Sequence, residues 1–364
     1  MKIGIMTLWQ TKHNYGAILQ NYALQKYLSK QGYNPFLIRY VEKIQGNVFF
    51  KIKVVLSKVK KRIVIEKNSC SKDKNRNFDD FIKKNMNVSP KIYIGYKELV
   101  NDPPEADAYI VGSDQVWNFY NAKLDICRDN IHAYFLDFGK ENIRRISYAA
   151  SWDPKYVSNE QLSEIRPLIN KLDYVSVREK KGLELCEKCG VKNPEWVVDP
   201  TLLLSAEEYR TLYKKDKYVR HIKKKYIFIY LVMTQTIKYN LDYVYNFAKK
   251  NDLEVIYVAE DKSIDNYTKY YPTIPEWLYL VDNADFVLTN SFHGTVFSLI
   301  FKKQFGTIPL KGYSSATNER IRSLFELFSI SPRFVENEDI SILKQEYNPI
   351  FKNLTSNFMQ YLKD

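Results

Sequence analysis

The chain has 364 residues, 45% of them hydrophobic, which is enough for two or three domains with buried cores. Its formal net charge of +13 favours an anionic partner such as a phosphorylated substrate, an anionic lipid surface or nucleic acid. Zinc-finger spacing, an RNA-recognition signature and a basic-region zipper do not occur in the sequence, so we predict no nucleic acid partner.

The first forty residues predict a β-α-β unit. Residues 2–8 form an apolar run that indicates a buried strand, and residues 35–40 indicate a second one. Between them, Leu19, Ala23 and Tyr27 recur every four residues, which predicts an amphipathic helix ending at Gly32. This order is typical of a parallel sheet covered by helices.

Residues 51–76 interrupt this pattern with ten Lys or Arg against two acidic residues. An apolar stripe runs through the segment at Ile52, Val55, Leu56, Val59 and Ile63. A basic amphipathic helix of this kind can lie on an anionic membrane surface. The alternative is a surface helix that packs its stripe on the domain.

The remaining elements again alternate between strands and helices. Strands are predicted at 107–111, 145–152, 173–178, 196–204, 225–232, 253–259, 285–290 and 304–310, and helices at 180–190, 238–251, 275–284, from His293 to Phe301, and at 318–328. A last helix over 347–364 places Ile350, Leu354, Phe358 and Leu362 on one face. We therefore predict an α/β protein with two Rossmann-like domains, residues 1–178 and 179–364, a hinge near 175–225 and a C-terminal helix.

The stretch 283–300 carries the clearest signal of a functional site. Thr289, Asn290 and Ser291 end a buried strand and can cap the helix that follows, which places His293 and Gly294 in a tight strand-to-helix turn. Free backbone N–H groups at such a helix start, including those of Gly294 and Thr295, attract phosphates and carboxylates. A histidine there can exchange a proton with the bound anion.

Other polar groups also follow predicted strands, where ligands bind in open parallel sheets. These groups are His13, Asn14 and Gly16 after the first strand, Asp114, Gln115 and Asn118 after the strand at 107–111, and Arg178 and Glu179 at the end of the strand that begins at residue 173. Arg320 starts a later helix and could meet an anion. The alternatives are a plain turn at Gly16, an interdomain ion pair for Arg178 and an exposed capping position for Arg320. Asp199 precedes a proline, which favours a turn-forming role.

Several familiar sites are excluded by sequence. The chain has no Walker P-loop, no dinucleotide Gly-x-Gly-x-x-Gly fingerprint and no Gly-x-Ser-x-Gly elbow. Cys186 and Cys189 have no second pair to complete a zinc site, and the cysteine usage fits a reducing, cytoplasmic setting. No apolar run of about 18 residues could span a bilayer, and the start lacks signal-peptide organisation. We therefore predict a cytoplasmic protein that uses no cofactor and no metal.

Seven segments, in register over roughly residues 1–330, closely resemble the polysaccharide pyruvyl transferase family. They read HNYGAILQNYALQ, DAYIVGSDQVWN, RISYAASW, VSVREKKGLELCEKCGV, VVDPTLLL, NADFVLTNSFHGTVFSLIF and NERIRSLF. The resemblance implies a two-domain fold similar to GT-B glycosyltransferases, with the active site between the domains. It also implies transfer of pyruvate from phosphoenolpyruvate, as a ketal, onto a sugar of a cell-surface glycan.

The resemblance also implies roles for individual residues. Arg178 matches the family's phosphoenolpyruvate-binding arginine, and the family's Arg-x-His element aligns with Ser291-Phe292-His293, so serine stands where the family has arginine. Arg320, or the helix start at Gly294 and Thr295, would then compensate.

A mechanism follows as a hypothesis. His293 would act as general acid and Asp114 as base for the acceptor hydroxyl, while Arg178 would hold the carboxylate and Arg320 the phosphate of the donor. The predicted acceptor is a hexose on a lipid-linked repeat unit or polysaccharide, bound on the N-terminal side, with the enzyme peripheral to the inner face of the cell membrane.

Two rival hypotheses remain open. A GT-B glycosyltransferase would share the fold but would bind a nucleotide-sugar through a base pocket in the C-terminal half. A catalytically idle binding module for acidic glycan or lipid would keep the positive surface and tolerate loss of His293.

Overall fold

The computed structural model describes residues 1–11, 13–42, 76–118, 128–152, 157–216, 222–260, 262–310, 316–350 and 357–363. The basic amphipathic helix predicted over 51–76 therefore lies outside the described residues, apart from Arg76 at its end.

The first sheet contains five strands: β1 (Lys2–Met6), β2 (Asn34–Val41), β3 (Val88–Ile94), β4 (Ala108–Val111) and β5 (Arg144–Ser147). They are parallel and lie in the order β3-β2-β1-β4-β5. β1 and β4 are central and almost wholly buried, as expected for short apolar strands covered on both faces by helices. The sequence predicted every strand of this sheet except β3.

A small two-stranded parallel sheet continues from β5. It consists of β6 (Ser176–Val177) and β7 (Glu195–Trp196), and bridges from Ile146 to Tyr174 and from Ala150 to Val177 join it to the first sheet. The strand predicted at 196–204 is shorter than expected. It ends at Trp196, and a 3-10 helix at Pro200–Leu203 takes the place of its second half because Asp199 caps that turn.

The second sheet lies in the C-terminal half. Its strands are β8 (Tyr226–Tyr230), β9 (Glu254–Val258), β10 (Phe286–Thr289) and β11 (Gln304–Thr307), again parallel, in the order β11-β10-β8-β9. All four were predicted from apolar runs. Two such sheets, each formed from alternating strands and helices, give the α/β architecture expected from the sequence.

The helices that the structure describes cover both sheets. They are α1 (Tyr15–Lys30), α2 (Phe78–Asn85), α3 (Tyr96–Asn101), α4 (Arg128–Tyr134), α5 (Asn159–Ile169), α6 (Lys180–Lys188), α7 (Ala206–Lys214), α8 (Asp242–Lys250), α9 (Ile274–Asn283), α10 (Phe292–Ile300), α11 (Ala316–Leu327) and α12 (Gln360–Lys363). α10 begins one residue before His293, so His293 and Gly294 lie in the first helical turn rather than in a connecting turn.

The two halves share a hydrophobic core at the start of α1. Tyr15 is fully buried and stacks on Trp277 of α9, with ring centroids 5.2 Å apart. Its hydroxyl donates to the carbonyl of Pro272 at 2.7 Å. The buried Arg76 donates to the carbonyl oxygens of His13, in the first half, and Ala259, in the second. These contacts fix the start of α1 against the C-terminal half. The domain boundary after residue 178 stays a prediction.

The C-terminal segment packs on the first half. Phe358 and Leu362 are buried, and the Phe358 ring lies 4.5 Å from that of Tyr148. The long helix predicted over 347–364 is wrong in extent. Among the described residues of this range, 347–350 are not helical, Ile350 is half exposed, and Gln360–Lys363 is α-helical; Leu354 lies outside the described residues.

Candidate active site

Each sheet has a topological switch point, at which the chain stops adding strands on one side of the first strand and starts adding them on the other. In the first sheet this point lies between β1 and β4, and in the second it lies between β8 and β10. Ligands of open parallel sheets bind outside the carboxyl ends of the strands at such points. The loops that leave β1, β4 and β10 carry predicted site residues, and the start of α1 brings the two crevices together.

The loop after β4 is held by buried polar contacts before it reaches the site. Thr7 Oγ1 donates to the carbonyl of Ser113 at 2.8 Å, and Gln20 Oε1 accepts from the Ser113 N–H at 3.0 Å. Gly112 has φ 118°, and a Cβ there would lie 2.2 Å from a backbone oxygen, so the position requires glycine. Asp114 follows with φ 71°, an uncommon conformation for a residue with a side chain.

The centre of the site is the buried carboxylate of Asp199. Its Oδ1 accepts from the N–H of Thr201 at 3.0 Å and from Thr201 Oγ1 at 2.7 Å. Its Oδ2 accepts from Arg178 Nη1 at 2.8 Å and lies 3.0 Å from Ser113 Oγ. Arg178 Nη2 also donates to Asp114 Oδ1 at 3.3 Å. One guanidinium therefore joins the two carboxylates across the site.

The charges of this cluster stabilise one another. Burial raises the pKa of Asp199, but His293 and Arg178 outweigh it and hold that pKa well below its ordinary range. Burial lowers the pKa of Arg178, yet Asp199, Asp114 and Glu179 raise it above its ordinary value. Burial also raises the pKa of the Glu179 carboxyl, and Arg178 opposes only part of that effect. Asp199 and Arg178 are thus both charged at neutral pH.

His293 comes from the C-terminal half and lies beside the same oxygen of Asp199 that pairs with Arg178. It is 5% exposed, and its Nε2 is 3.6 Å from Asp199 Oδ2. Its ring packs against Gly16 at the start of α1, where a Cβ would lie 2.1 Å from His293 Cγ and Nδ1. His293 and Arg178 therefore meet at Asp199, with Gly16 packed against the imidazole.

Three buried polar atoms in this cluster have no hydrogen-bond partner among the described residues. They are His293 Nε2, Arg178 Nε and Glu179 Oε2. Buried polar atoms are nearly always paired in native proteins, and exceptions concentrate where a ligand or water completes the set. Arg178 Nε and Glu179 Oε2 lie 4.0 Å apart, and His293 Nε2 lies 3.6 Å from Asp199 Oδ2, so a small polar ligand or a water could complete these contacts.

Arg320 reaches the same region from α11. With the Gln115 amide oriented by its hydrogen bonds, Arg320 Nη1 and Nη2 both lie 2.8 Å from the Gln115 side-chain oxygen. The charge of Arg320 also lowers the pKa of Glu179, which places the guanidinium near the Arg178 cluster. The structure therefore connects Arg320 to Gln115, the residue next to Asp114, which pairs with Arg178.

The remaining predicted residues on the C-terminal side are engaged in local structure. Ser291 caps α10 by accepting from the Gly294 N–H at 3.3 Å, and the Thr295 hydroxyl donates to the Ser291 carbonyl at 3.0 Å. The Asn290 amide donates to the carbonyl of Val232 at 2.9 Å. These groups brace the helix start, so the expectation of free N–H groups at Gly294 and Thr295 is not met.

Two predicted residues lie on the N-terminal side. Asn14 caps α1, with its Oδ1 accepting from the Ala17 N–H at 3.2 Å, and it lines a cavity of about 350 Å³ next to Asp114. Asn118 donates its N–H to the carbonyl of Gln115 at 3.2 Å, at the edge of the described residues.

Within the described ranges, no group of three or more His, Cys, Asp or Glu residues is arranged to hold a metal ion. No helix in the same part of the chain is both long and apolar enough to cross a membrane. The cluster described above balances three carboxylates, Asp114, Glu179 and Asp199, against Arg178, Arg320 and the His293 imidazole.

Sequence reasoning missed the central residue of this cluster. Asp199 was interpreted as a turn-forming Asp-Pro, and it does cap the turn with one carboxylate oxygen, while the other oxygen pairs with Arg178. Its position at a strand end, among other strand-end polar residues, was the available signal. Ser113 was noted only as part of a polar segment, although its hydroxyl contacts Asp199 directly.

Two parallel α/β sheets with a site between them define the GT-B class, and solved structures agree. The UDP-GlcNAc 2-epimerase of Methanocaldococcus jannaschii, in complex with UDP-GlcNAc and UDP, aligns with a TM-score of 0.56 at 12% identity over 100% of this chain and 99% of that one. The putative UDP-N-acetylglucosamine 2-epimerase of Listeria monocytogenes gives 0.51 at 11% identity, over 99% and 95%. At these identities the likeness shows the fold alone.

The family is shown by sequence. No curated protein matches the chain significantly. The model of the polysaccharide pyruvyl transferase family, however, matches residues 14–311, which is most of the chain and includes His293, Arg178 and Asp199. This protein belongs to the polysaccharide pyruvyl transferase family, a family of transferases in polysaccharide biosynthesis, and the resemblance inferred from the seven segments is confirmed.

Proposed function

We propose that this protein transfers pyruvate from phosphoenolpyruvate to two hydroxyls of one hexose in a lipid-linked repeat unit or a surface polysaccharide. The observation that carries the proposal is the meeting of Arg178 and His293 at Asp199, with polar atoms of both side chains left without a partner among the described residues. Family membership supplies the reaction type. A guanidinium and an imidazole suit a small anionic donor that must gain a proton.

The chemistry balances with residues of the chain alone. A proton added to the methylene carbon of phosphoenolpyruvate makes C2 cationic, and a sugar hydroxyl attacks C2 and loses its proton. Phosphate then leaves with the C2–O electron pair. A second hydroxyl attacks C2 and loses its proton, which closes the ketal. One proton ends on the methyl group and one on phosphate, matching the two that the hydroxyls released.

His293 is the proposed proton donor. Its imidazolium would lie beside Asp199, whose depressed pKa keeps that carboxylate ionised and able to stabilise a positive ring. Asp199 is then a positioning residue that acts through His293. Asp114, on the N-terminal side of Arg178, is the proposed base for the acceptor hydroxyl.

The two arginines are the proposed anion holders. Arg178 already pairs with Asp199 and Asp114, and its Nε lies 4.0 Å from Glu179 Oε2, so a donor oxygen would bind at Nε in competition with Glu179. Arg320 presents its two terminal nitrogens to the Gln115 amide, a neutral partner that an anionic oxygen could displace. Arg320 is therefore the candidate to compensate for serine at position 291.

Association with an anionic membrane surface at the inner face of the cell membrane forms part of the proposal. It rests on the basic composition of residues 51–76 and the net charge of +13.

Ligand binding tests the proposal directly. Thermal-shift assays of wild type, Arg178→Met and Arg320→Met should show stabilisation of the wild type by phosphoenolpyruvate and less stabilisation of each variant. UDP- and GDP-sugars serve as the comparison set. Stabilisation by a nucleotide-sugar, with none by phosphoenolpyruvate, would favour a GT-B glycosyltransferase instead.

A further inference from the structure

A cavity adjoins the cluster of Arg178, Asp114 and Asp199 on the N-terminal side. The cavity of about 350 Å³ lies at the carboxyl end of β1 and is lined by Trp9, Thr11, Asn14 and Tyr40, with Glu42 exposed at its rim and Asp114 at its inner end. Ligand pockets span about 300–1,000 Å³, so this one suits a group the size of one sugar ring rather than a longer glycan.

We propose that this cavity is the acceptor subsite, that it binds one neutral hexose ring, and that Trp9 and Glu42 select for it. This inference rests on the proposed function and names the substrate class at the same site. The occupant is a pyranose without a carboxylate, held by stacking on Trp9 and by hydrogen bonds from its hydroxyls to Glu42 and Asp114.

The aromatic wall has the right form for a sugar. The Trp9 ring is fixed because its Nε1 donates to the Tyr40 carbonyl at 2.7 Å, and Trp9 remains partly exposed. Tyr40 packs edge-on against Tyr134, a second lining residue, with ring centroids 5.8 Å apart. A fixed, partly exposed indole offers a flat apolar face at low entropic cost, which suits the C–H face of a pyranose.

The charged groups of the cavity favour a hydroxyl-rich occupant over an anionic one. Lysine and arginine are absent from its described lining, whereas two carboxylates belong to it, those of Glu42 and of Asp114, the latter already paired with Arg178. Ionised carboxylates accept hydrogen bonds and cannot donate them, so sugar hydroxyls are suitable partners and phosphate or carboxylate groups are not. The phosphoenolpyruvate anion therefore belongs on the Arg178 side and the hydroxyl-rich acceptor in this cavity.

The position of Asp114 connects the two halves of the reaction. The same residue lines the cavity and accepts from Arg178 Nη2 at 3.3 Å. A hexose in the cavity would bring its hydroxyls to Asp114, which directly contacts Arg178 of the proposed donor site. Asp114 has an uncommon φ of 71°, and its side chain lies at this junction.

The test uses methyl glycosides of neutral hexoses and the matching methyl uronosides as probes. Binding to the full chain is measured by saturation-transfer NMR without phosphoenolpyruvate, and transfer kinetics give KM for acceptor and donor separately. The variants are Trp9→Ala and Glu42→Gln. Glu254→Gln is the matched control, because it makes the same change in a separate cavity of about 660 Å³ beside β9.

We expect wild type to bind a neutral hexoside and to reject the uronoside. Trp9→Ala and Glu42→Gln should each raise the acceptor KM about tenfold or more, the loss expected for one contact to a charged or aromatic group, with the donor KM unchanged. Glu42→Gln should also gain at least about tenfold in uronoside binding, because like charges no longer meet. Glu254→Gln should behave as wild type.

Two results would overturn the inference. The first is hexoside binding, or an acceptor KM, that stays unchanged in both Trp9→Ala and Glu42→Gln, because the sugar would then bind elsewhere. The second is equal binding of uronoside and hexoside by wild type, which would contradict the charge argument. These outcomes are separate from failure of the proposed function, which would appear as no phosphate release from phosphoenolpyruvate with any acceptor while the NMR experiment still reports on the cavity.

Discussion

Gly16 and His293 come from opposite ends of the chain and pack so closely that position 16 has no space for a side chain. A Cβ on Gly16 would lie 2.1 Å from both Cγ and Nδ1 of the His293 ring. The start of α1 is itself fixed to the C-terminal half by the stacking of Tyr15 on Trp277. The orientation of the imidazole therefore depends on a glycine in the N-terminal half.

Gly16→Ala should abolish most activity by displacing the His293 ring from Asp199, because the added methyl group cannot be accommodated without movement. We expect a fall of about 10²-fold or more, the scale associated with loss of one positioned proton-transfer group. Steady-state kinetics together with circular dichroism and a melting curve would measure it.

Gly32→Ala is the control. Nothing lies within 4 Å of its Cβ, but its φ of 87° makes alanine strained by about 1 kcal/mol. This variant should lose stability and keep activity. Equal activity in Gly16→Ala and wild type would contradict the packing argument.

His293→Gln should lower turnover by about 10²–10⁴-fold, since it removes the only proposed proton donor while keeping a polar side chain of similar reach. The melting temperature should change little. His132→Gln is the matched control, because that half-exposed histidine pairs with Asp137 at 2.7 Å, away from the site. If His293→Gln turns over like the control, the assignment is wrong.

Arg178 and Asp199 should be energetically coupled. Arg178→Met alone leaves a buried carboxylate uncompensated, and we expect a loss of about 3–5 kcal/mol in the free energy of unfolding. Adding Asp199→Asn should recover part of that loss, whereas activity should stay absent in Arg178→Met, in Asp199→Asn and in the double variant. Urea denaturation measures the coupling, and strictly additive losses would show that the pair does not interact.

The stability contributed by Asp199 should depend on pH in one direction. Its folded pKa lies below the ordinary value of 3.8, so its contribution is complete above the unfolded pKa and is lost as pH falls through the folded one. The stability difference between wild type and Asp199→Asn should shrink as pH falls below about 5. A stability difference that grows as pH falls below about 5 would contradict a lowered pKa for Asp199.

Arg320→Lys should raise KM for phosphoenolpyruvate more than it lowers kcat, because a single ammonium cannot reproduce the two-pronged contact of the guanidinium. Arg322→Lys on the same helix is the control, since Arg322 is exposed and faces Glu319. An unchanged KM in Arg320→Lys would remove Arg320 from donor binding.

The sheets were largely predictable because their strands are buried on both faces and therefore appear as short apolar runs. β8 and β10 are examples, with the sequences YIFIY and FVLT. β3 was missed because it lies at an edge, and its sequence VSPKIYI alternates and contains proline. Two missed helices carried a readable signal, since Ser158 with Gln161 and Ser205 with Glu208 form capping boxes.

The candidate site was predictable in its members but not in its connections. Strand ends and family resemblance pointed to His293, Arg178, Asp114 and Gly16. The central role of Asp199 depends on contacts between residues 21 and 94 positions apart, and local sequence patterns do not contain such contacts. Gly294 and Thr295 were expected to offer free N–H groups, but Ser291 accepts from both.

Incubation of the purified full chain with phosphoenolpyruvate and a lipid-linked neutral hexose acceptor tests the central claim most directly. Mass spectrometry should show an acceptor heavier by one pyruvate less one water, with one phosphate released per product and no product from His293→Gln. The account would be contradicted if the acceptor mass stays unchanged with phosphoenolpyruvate and the enzyme instead adds a sugar from a nucleotide-sugar.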